Sequence, residues 1–416
     1  MKYLHITDHG ILLTNRYPEN HSWVTLLIKL KQDVYWVGAV DWTIRSFHSY
    51  VTHRGSSYNS YLITDENPCL IDFVKSPFAE EQITHIEEII DPKRIDYIVA
   101  NHAEPDHSGS IRKVIDALPN AKIIATTRCI QTLKKYYGDD LSITSIEEVP
   151  TLKLGRRSLT FVPVPMAHWP DSMVSYMPEE KLLFSNDAFG QHLASSFRFD
   201  DEVDQVVLMQ EASTYYANIL MPLWRSVKNA LKSLEGVSVE MIAPSHGVIW
   251  RKNPELILNS YSKWVSGETQ KKAVIVYDTM WGSTEKVARA IMEGLTAEGV
   301  EVIVHSLSSS HNSEVIADVL ETRAVIVGGP TLNNHLFPTV ASFLAYMRGL
   351  KPLNKIGAAF GSYGWGGGAK KATELEMVAA GIQIVESGLD FQYKPTVEEL
   401  LKAYNFGKEM GAKIKA

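Results

Sequence analysis

The chain has 416 residues, enough for two or three ordinary domains, and 45% hydrophobic with 21% charged residues suits a globular protein with large cores. Its formal charge of −7 offers no basic block to neutralise phosphates, which argues against a nucleic-acid partner. Two cysteines, Cys69 and Cys129, cannot build a tetrathiolate centre, so an internal iron–sulfur or four-thiolate iron module is excluded.

Met1–Gly10 carries Lys2, Asp8 and two histidines and does not read as a secretory signal. No run approaches the roughly 18 apolar residues of a membrane span. A cytoplasmic location with both thiols reduced is therefore expected, with no membrane partner. Residues 1–32 form an N-terminal segment without an assigned role, an added strand pair or an upstream start.

From there the chain reads as short β-rich runs at Val34–Val40, Ser57–Thr64 and Cys69–Val74, each alternating or bounded by turn residues. A helix is expected over Phe78–Ile90, then an apolar strand Ile95–Ala100 that ends directly on Asn101-His102. Further strands are expected at Ala121–Ala125, Ser158–Pro163, Lys181–Phe184 and Val239–Ala243. Short strands with interspersed helices predict an α/β sandwich with a site at strand ends. The pattern changes near residue 268, where polar Glu268–Lys272 precedes an apolar strand, Ala273–Tyr277. A helix over Ser283–Glu298, strands at Glu301–Leu307, Ala324–Gly328 and Lys355–Phe360, and helices at Thr339–Arg348 and Val397–Ala412 complete a doubly wound parallel sheet. The expected domains are residues 33–267 and 268–416.

The first domain concentrates metal-ligating side chains. His102-Ala103-Glu104-Pro105-Asp106-His107 places four of them within six residues. His168 follows in Met166-Ala167-His168-Trp169-Pro170-Asp171-Ser172, Asp187 in Phe184-Ser185-Asn186-Asp187, and His246 in Pro244-Ser245-His246-Gly247. Four imidazoles and three carboxylates suffice for two metals with a bridging carboxylate and open positions. Any one of these alone reads as a surface or capping residue; all seven, each just beyond an expected strand, do not. His5, His9, His21, His53, His85, His192, His305, His311 and His335 have no such context and read as ordinary histidines.

This set resembles the metallo-β-lactamase superfamily, whose hydrolases carry His-x-His-x-Asp-His; here Glu104 replaces the second histidine. A hard anionic carboxylate favours iron and its ferric state, whereas several neutral imidazoles suit hydrolytic zinc. With His168-Trp169-Pro170-Asp171-Ser172 and Asn186-Asp187-Ala188-Phe189-Gly190, the replacement is similar to the pattern of flavodiiron proteins. The resemblance implies that His102, Glu104 and His168 bind one iron and Asp106, His107 and His246 the other, with Asp187 bridging. It leaves His107 open, since some members hold that histidine off the metal. His48 and Tyr216 look like family positions near the diiron pocket, where either donates a proton or hydrogen bond to bound oxygen or plays an ordinary packing role.

In the second domain, strand Ala273–Tyr277 is followed by Asp278-Thr279-Met280-Trp281-Gly282-Ser283-Thr284-Glu285 and a helix. Helix-start amides and the hydroxyls of Thr279, Ser283 and Thr284 can surround a phosphate without a cation. The dinucleotide pattern and the Walker loop are both absent. The loop resembles the FMN-phosphate loop of flavodoxins. Two more loops follow later strands: Gly329-Pro330-Thr331-Leu332-Asn333-Asn334 and Gly361-Ser362-Tyr363-Gly364-Trp365-Gly366-Gly367. Their glycines allow close approach to an isoalloxazine edge, and Trp281, Leu332, Tyr363 and Trp365 supply stacking or apolar walls. A lone Thr/Ser-rich loop is as readily a helix N-cap, but three in register favour FMN.

The resemblance, covering about residues 32–412, implies an α/β chain with a metallo-β-lactamase-like αββα sandwich followed by a flavodoxin-like domain. It implies an oxidoreductase with two non-haem irons and one FMN, reducing dioxygen to water, two nitric oxide molecules to nitrous oxide, or both. It also implies a head-to-tail homodimer or dimer of dimers, and a separate electron donor such as rubredoxin or a reduced deazaflavin. Three rivals stand beside it: a binuclear zinc hydrolase fused to a flavodoxin, a pure electron carrier, and a gas sensor. The preference between the two gases does not follow from the ligand set.

Overall fold

The computed structural model describes Ile11–Leu12 and residues 27–416; His5, His9, His21 and most of the N-terminal segment lie outside the described residues. The chain divides into two compact units. One runs to Arg45 and takes in Thr52–Ala212 and Arg225–Asn259; the other holds Ser46–Val51, Ser213–Trp224 and Ser260–Ala416.

The first unit contains an eight-stranded and a five-stranded sheet. In the larger, Ile11–Leu12, Leu27–Lys31, Val34–Trp36, Tyr61–Ile63, Cys69–Ile71, Tyr97–Ala100, Lys122–Ala125 and Ile143–Ser145 lie side by side in that order. The other runs Thr151–Lys153, Ser158–Pro163, Met173–Met177, Leu182–Asn186, Met241–Pro244. Strand periodicity sorts the side chains. Tyr61, Ile63, Cys69, Ile71, Val99 and Ile124 join Leu159, Phe161, Met173, Leu182 and Phe184 in one core. Their neighbours Leu62, Leu70, Ile98, Ile123 and Ala125 point the other way, onto Ile86, Ile111, Val114, Cys129 and Leu133 from flanking helices. The two thiols are thus buried on opposite faces of one sheet and unpaired with each other.

The second unit carries a parallel sheet in the order Glu301–Ser306, Gln270–Tyr277, Thr322–Pro330, Ile356–Tyr363, with Gln383–Ile384 and Leu389–Gln392 both on the last of these. This 2-1-3-4-5 order is the flavodoxin-type winding, which places a ligand at the carboxyl ends of the strands. Both faces are covered, so Ala273–Val276 and Ala324–Val327 are fully buried without alternation. Helix Ser283–Ala297 packs on Val397–Lys415 so closely that a Cβ on Gly294 would sit 2.0 Å from the Tyr404 carbonyl oxygen. Among the described residues no helix is long and apolar enough to cross a membrane.

Candidate metal centre and flavin site

All seven metal-type residues of the sequence converge in the first unit, and each sits just past a strand. His102 lies two residues beyond Tyr97–Ala100; Asp106 and His107 fall on the short helix Pro105–Ser108 that follows. His168 follows Ser158–Pro163, Asp187 follows Leu182–Asn186, and His246 follows Met241–Pro244. Two groups form: His102, Glu104, His168 and Asp187, and beside them Asp106, His107 and His246, all buried.

The distances have the scale of coordination polyhedra. Glu104 Oε2 lies 3.2 Å from both His102 Nε2 and His168 Nε2, and Asp187 Oδ2 lies 3.1 Å from His168 Nε2. On the other side Asp187 Oδ1 is 3.0 Å from His107 Nε2 and 3.5 Å from His246 Nε2, while Asp106 Oδ2 is 3.2 Å from His246 Nε2. Bonds of about 2.0–2.2 Å to one ion separate neighbouring ligand atoms by about 2.8–3.6 Å. Asp187 therefore offers one oxygen to each group, the geometry of a bridge. Both Asp106 oxygens are buried and receive no hydrogen bond, a cost that a bound cation removes. The donor set fits two metal ions.

The electrostatics agree. Burial pulls the His102 imidazole down, but Asp171, Glu104 and Asp187 outweigh it and push the ring up to about 10. His168 is raised to about 10 against burial by Asp187 and Glu104, and His107 to about 9 by Asp106 and Asp187. Burial opposes ionisation of Asp187, yet His107 and His168 hold its carboxyl well below the usual range. The pocket is built to hold positive charge, as protons or as cations.

Residues not singled out in the sequence hold this set in place. Asp72 Oδ1 accepts from Asn101 N at 2.7 Å, and Oδ2 accepts from the amides of Asn101 at 3.0 Å and Asn186 at 3.2 Å. Those asparagines immediately precede His102 and Asp187. Asp171 Oδ2 accepts from Ala103 N at 2.8 Å and stands 3.0 Å from His102 Nδ1. His192 also belongs here rather than among the ordinary histidines: its Nδ1 is 2.7 Å from Ser56 Oγ, and its ring centroid lies 4.7 Å from that of His246. Ser56 is 136 residues from His192, so no local signal joins them.

His48 and Tyr216 lie in the second unit, so they are not gathered with the seven within one unit. His48 forms the tip of a hairpin between Ser46–Phe47 and Tyr50–Val51 with φ 46°, its ring centroid 4.1 Å from Phe47. Tyr216 opens a π-helical turn, Tyr216–Leu220, and is fully buried against Tyr261 and Trp264 at centroid distances of 5.1 and 5.0 Å.

The flavin loops gather at the carboxyl ends of the parallel strands. Thr279 Oγ1 accepts from Gly282 N at 3.0 Å and shapes the first loop around Met280 and Trp281. Gly282 takes φ 77°, and no side chain caps the helix that starts at Ser283, which leaves its first amides open to an anion. Thr284 Oγ1 meets Ser362 Oγ at 2.9 Å, and Thr331 N, just past Pro330, donates to the Ser362 carbonyl at 2.7 Å. Leu332 and His335 pair across Asn333 and Asn334 at φ 50° and 59°, a tight two-residue turn. A Cβ on Gly366 would lie 2.8 Å from Asn334 Oδ1, so the second and third loops approach closely. Gly364 and Gly367 share the third loop, which follows Tyr363. Trp281 and Trp365 are 92% and 94% exposed, two uncovered aromatic faces beside an open helix start. That arrangement fits a planar, phosphorylated cofactor.

Residues 57–247 match the family described as ODP family beta lactamase, and residues 275–407 match flavodoxin. The chain is 47% identical over 393 residues to a nitric oxide reductase of Moorella thermoacetica, covering 93% of this chain and 98% of that one. The flavodiiron protein of Giardia intestinalis superposes with a TM-score of 0.92 at 38% identity, over 95% of this chain and 98% of that one.

This chain belongs to the flavodiiron family.

The rubredoxin oxygen:oxidoreductase of Desulfovibrio gigas is a further structural relative, with a TM-score of 0.90 and 36% identity over 94% of this chain and 98% of that one. For a flavodiiron protein the two halves have separate tasks: the sandwich supplies the metal pocket, and the parallel sheet supplies the flavin loops. The replacement of histidine by Glu104 is accommodated with its carboxylate equidistant from His102 and His168.

Proposed function

We propose that this chain is a flavodiiron oxidoreductase that reduces dioxygen to water and nitric oxide to nitrous oxide. The observation that carries this reading is the pair of buried ligand groups sharing Asp187, with Glu104 in place of an imidazole. His102, Glu104 and His168 would hold one iron and Asp106, His107 and His246 the other. FMN, when bound, would supply the conversion of electron pairs from a donor into single electrons for the irons, whose open positions would take the gas. The chain's own residues would bind and orient the FMN: Thr279, Ser283 and Thr284 with the open helix start would take the phosphate, and Trp281 and Trp365 would offer their faces to the ring. Asp171 at His102 Nδ1 and the Ser57 carbonyl at His246 Nδ1 turn those imidazoles with Nε2 inward.

Similarity to a protein named for nitric oxide and to another named for rubredoxin and oxygen supports both gases and an external donor. Two cysteines, both buried, leave the chain itself without a thiolate iron module, which supports rubredoxin or a reduced deazaflavin in that role. Metal and flavin sites on separate units support a head-to-tail homodimer, since tunnelling requires short separations. The test is metal and flavin content, followed by anaerobic reduction and mixing with each gas. Two irons, one FMN and rapid flavin reoxidation are expected; zinc after iron-rich expression, with reoxidation no faster than free FMN, would overturn the reading. Mixed dimers of a metal-ligand variant with a flavin-loop variant should regain activity if the arrangement is head-to-tail, and stay inactive if each chain works alone.

A further inference from the structure

The two candidate iron positions have matched inner ligands. Each is faced by two imidazoles, one carboxylate of its own and one oxygen of Asp187. They differ behind the imidazoles. His102 Nδ1 lies 3.0 Å from Asp171 Oδ2, an anionic acceptor that is itself 1% exposed. On the other side His246 Nδ1 lies 2.7 Å from the neutral carbonyl of Ser57, and His107 Nδ1 is buried with no hydrogen-bond partner.

Among the described residues Asp171 has no other counter-charge: no lysine or arginine pairs with it, and its one ion pair is with His102. Its second oxygen, Oδ1, is buried. The Cys129 thiol beside it is buried, and burial and the carboxylate both push that thiol up, so it stays protonated. Thr126 Oγ1 donates to the Asp171 carbonyl and Ala103 N to its carboxylate, which fixes the residue from both ends. The negative charge therefore acts through the His102 ring, drawing its Nδ1 proton and making Nε2 the more basic, metal-facing atom.

We propose that Asp171 is a positioning residue that makes the His102 position the tighter and more electron-rich of the two iron positions. The proposal rests on the diiron reading and adds to it an inequivalence that the inner ligands alone do not produce. It assigns no step of the reaction to Asp171, which touches neither substrate nor metal.

The experiment is an anaerobic titration of the metal-depleted, FMN-containing full chain with ferrous iron against a competing chelator. In the natural chain two unequal affinities are expected; two equal ones overturn the proposal without any variant. In Asp171→Asn the tighter constant should weaken about 10–100-fold while the other stays fixed. Potentiometric reduction followed by electron paramagnetic resonance supplies a second readout: the separation between the two one-electron metal steps should narrow in Asp171→Asn and return in Asp171→Glu. The flavin potential should stay fixed throughout. Equal weakening of both positions, or an unchanged separation of steps, marks Asp171 as merely structural and overturns the proposal. Failure to take up two irons at all would instead sink the diiron reading on which it rests.

Discussion

Replacing Asp72 should loosen the metal pocket without touching a ligand. Its carboxylate accepts three hydrogen bonds, two to Asn101 and one to Asn186, and it is 3% exposed. In Asp72→Asn one carboxylate oxygen becomes an amide donor. Turned toward the Asn101 and Asn186 amides, the new NH₂ would oppose two donors; turned toward Asn101 N it opposes one. The second orientation is cheaper, with Asn101 N and the new NH₂ facing each other unsatisfied in one buried contact at about 1–3 kcal/mol, and the remaining bonds lose their charge assistance. A total of about 2–4 kcal/mol follows. Asparagine tolerates the φ of 59° at this position, so the backbone adds little. Asp72→Ala strands all three donors and adds left-handed strain, for about 4–7 kcal/mol. Urea unfolding of the metal-free chain, with iron retained after desalting measured in parallel, reads both effects. A midpoint shift worth less than about 1 kcal/mol in Asp72→Asn, with both irons retained, would refute the reasoning.

Glu104→His restores three imidazoles around the first position; iron retention should fall at least about 10-fold and zinc should take its place, as elemental analysis would read. Thr279→Val removes the hydroxyl that accepts from Gly282 N, and FMN affinity should drop about 10-fold by fluorescence titration, the equivalent of about 1.4 kcal/mol. Lys355 is 3% exposed, with Nζ donating to the Leu320 and Thr322 carbonyls at 2.9 and 2.6 Å; burial, with Arg323, pulls its ammonium down from 10.5 to about 7. Between those values the unfolded chain holds the proton that the folded chain releases, so stability rises with pH from about 7 upward and is lowest below it. Unfolding at pH 7.5 and 9 should differ by up to about 2 kcal/mol, and Lys355→Met should flatten the slope; an unchanged slope would assign it to other groups.

The seven clustered residues are legible in the sequence because a strand end is a local event: an apolar run stops, and the next polar residue falls beside the cluster. Ser158–Pro163 matches its expected span, and Ala273–Tyr277 lies within a strand that begins at Gln270. Strand Met173–Met177 is hidden because it follows the His168 motif directly, with no turn signal of its own. Helices Asn312–Glu321 and Ala369–Ala379 lack the long apolar repeat that marks Ser283–Ala297. Contacts across distant segments are the least legible. Asp72 meets Asn186 across 114 residues, and nothing near either one announces it. The grouping of Ser46–Val51 and Ser213–Trp224 with the second unit is likewise set by packing partners far along the chain.

Backbone conformation explains why so many buried polar groups surround this pocket. Asp72, Met166, Asn186 and Phe189 take φ values of 59°, 64°, 50° and 67°; Asn186 ends the strand Leu182–Asn186, and the other three lie on loops beside the clustered residues. Left-handed backbone costs a non-glycine residue about 1–2 kcal/mol, less for Asp and Asn, whose side chains bond locally. Met166 and Phe189 have no such side chains; instead Met166 N donates to the Trp169 carbonyl at 2.7 Å, and the Phe189 carbonyl accepts from Trp250 Nε1 at 2.9 Å. The loops also bring Glu104, Asp106, Asp187 and Asp171 together, four carboxylates whose mutual repulsion opposes the same arrangement. Anchors outside the ligand set oppose both costs: Ser108 Oγ donates to the Ala103 and Glu104 carbonyls at 2.8 and 2.9 Å, and Ser245 Oγ donates to Asp187 Oδ1 at 3.2 Å. Bonds of this kind form on folding and need no cation. Metal-depleted chain is therefore expected to stay folded and to gain stability on taking up iron, the reverse of a small zinc domain, and urea unfolding with and without iron would read the difference.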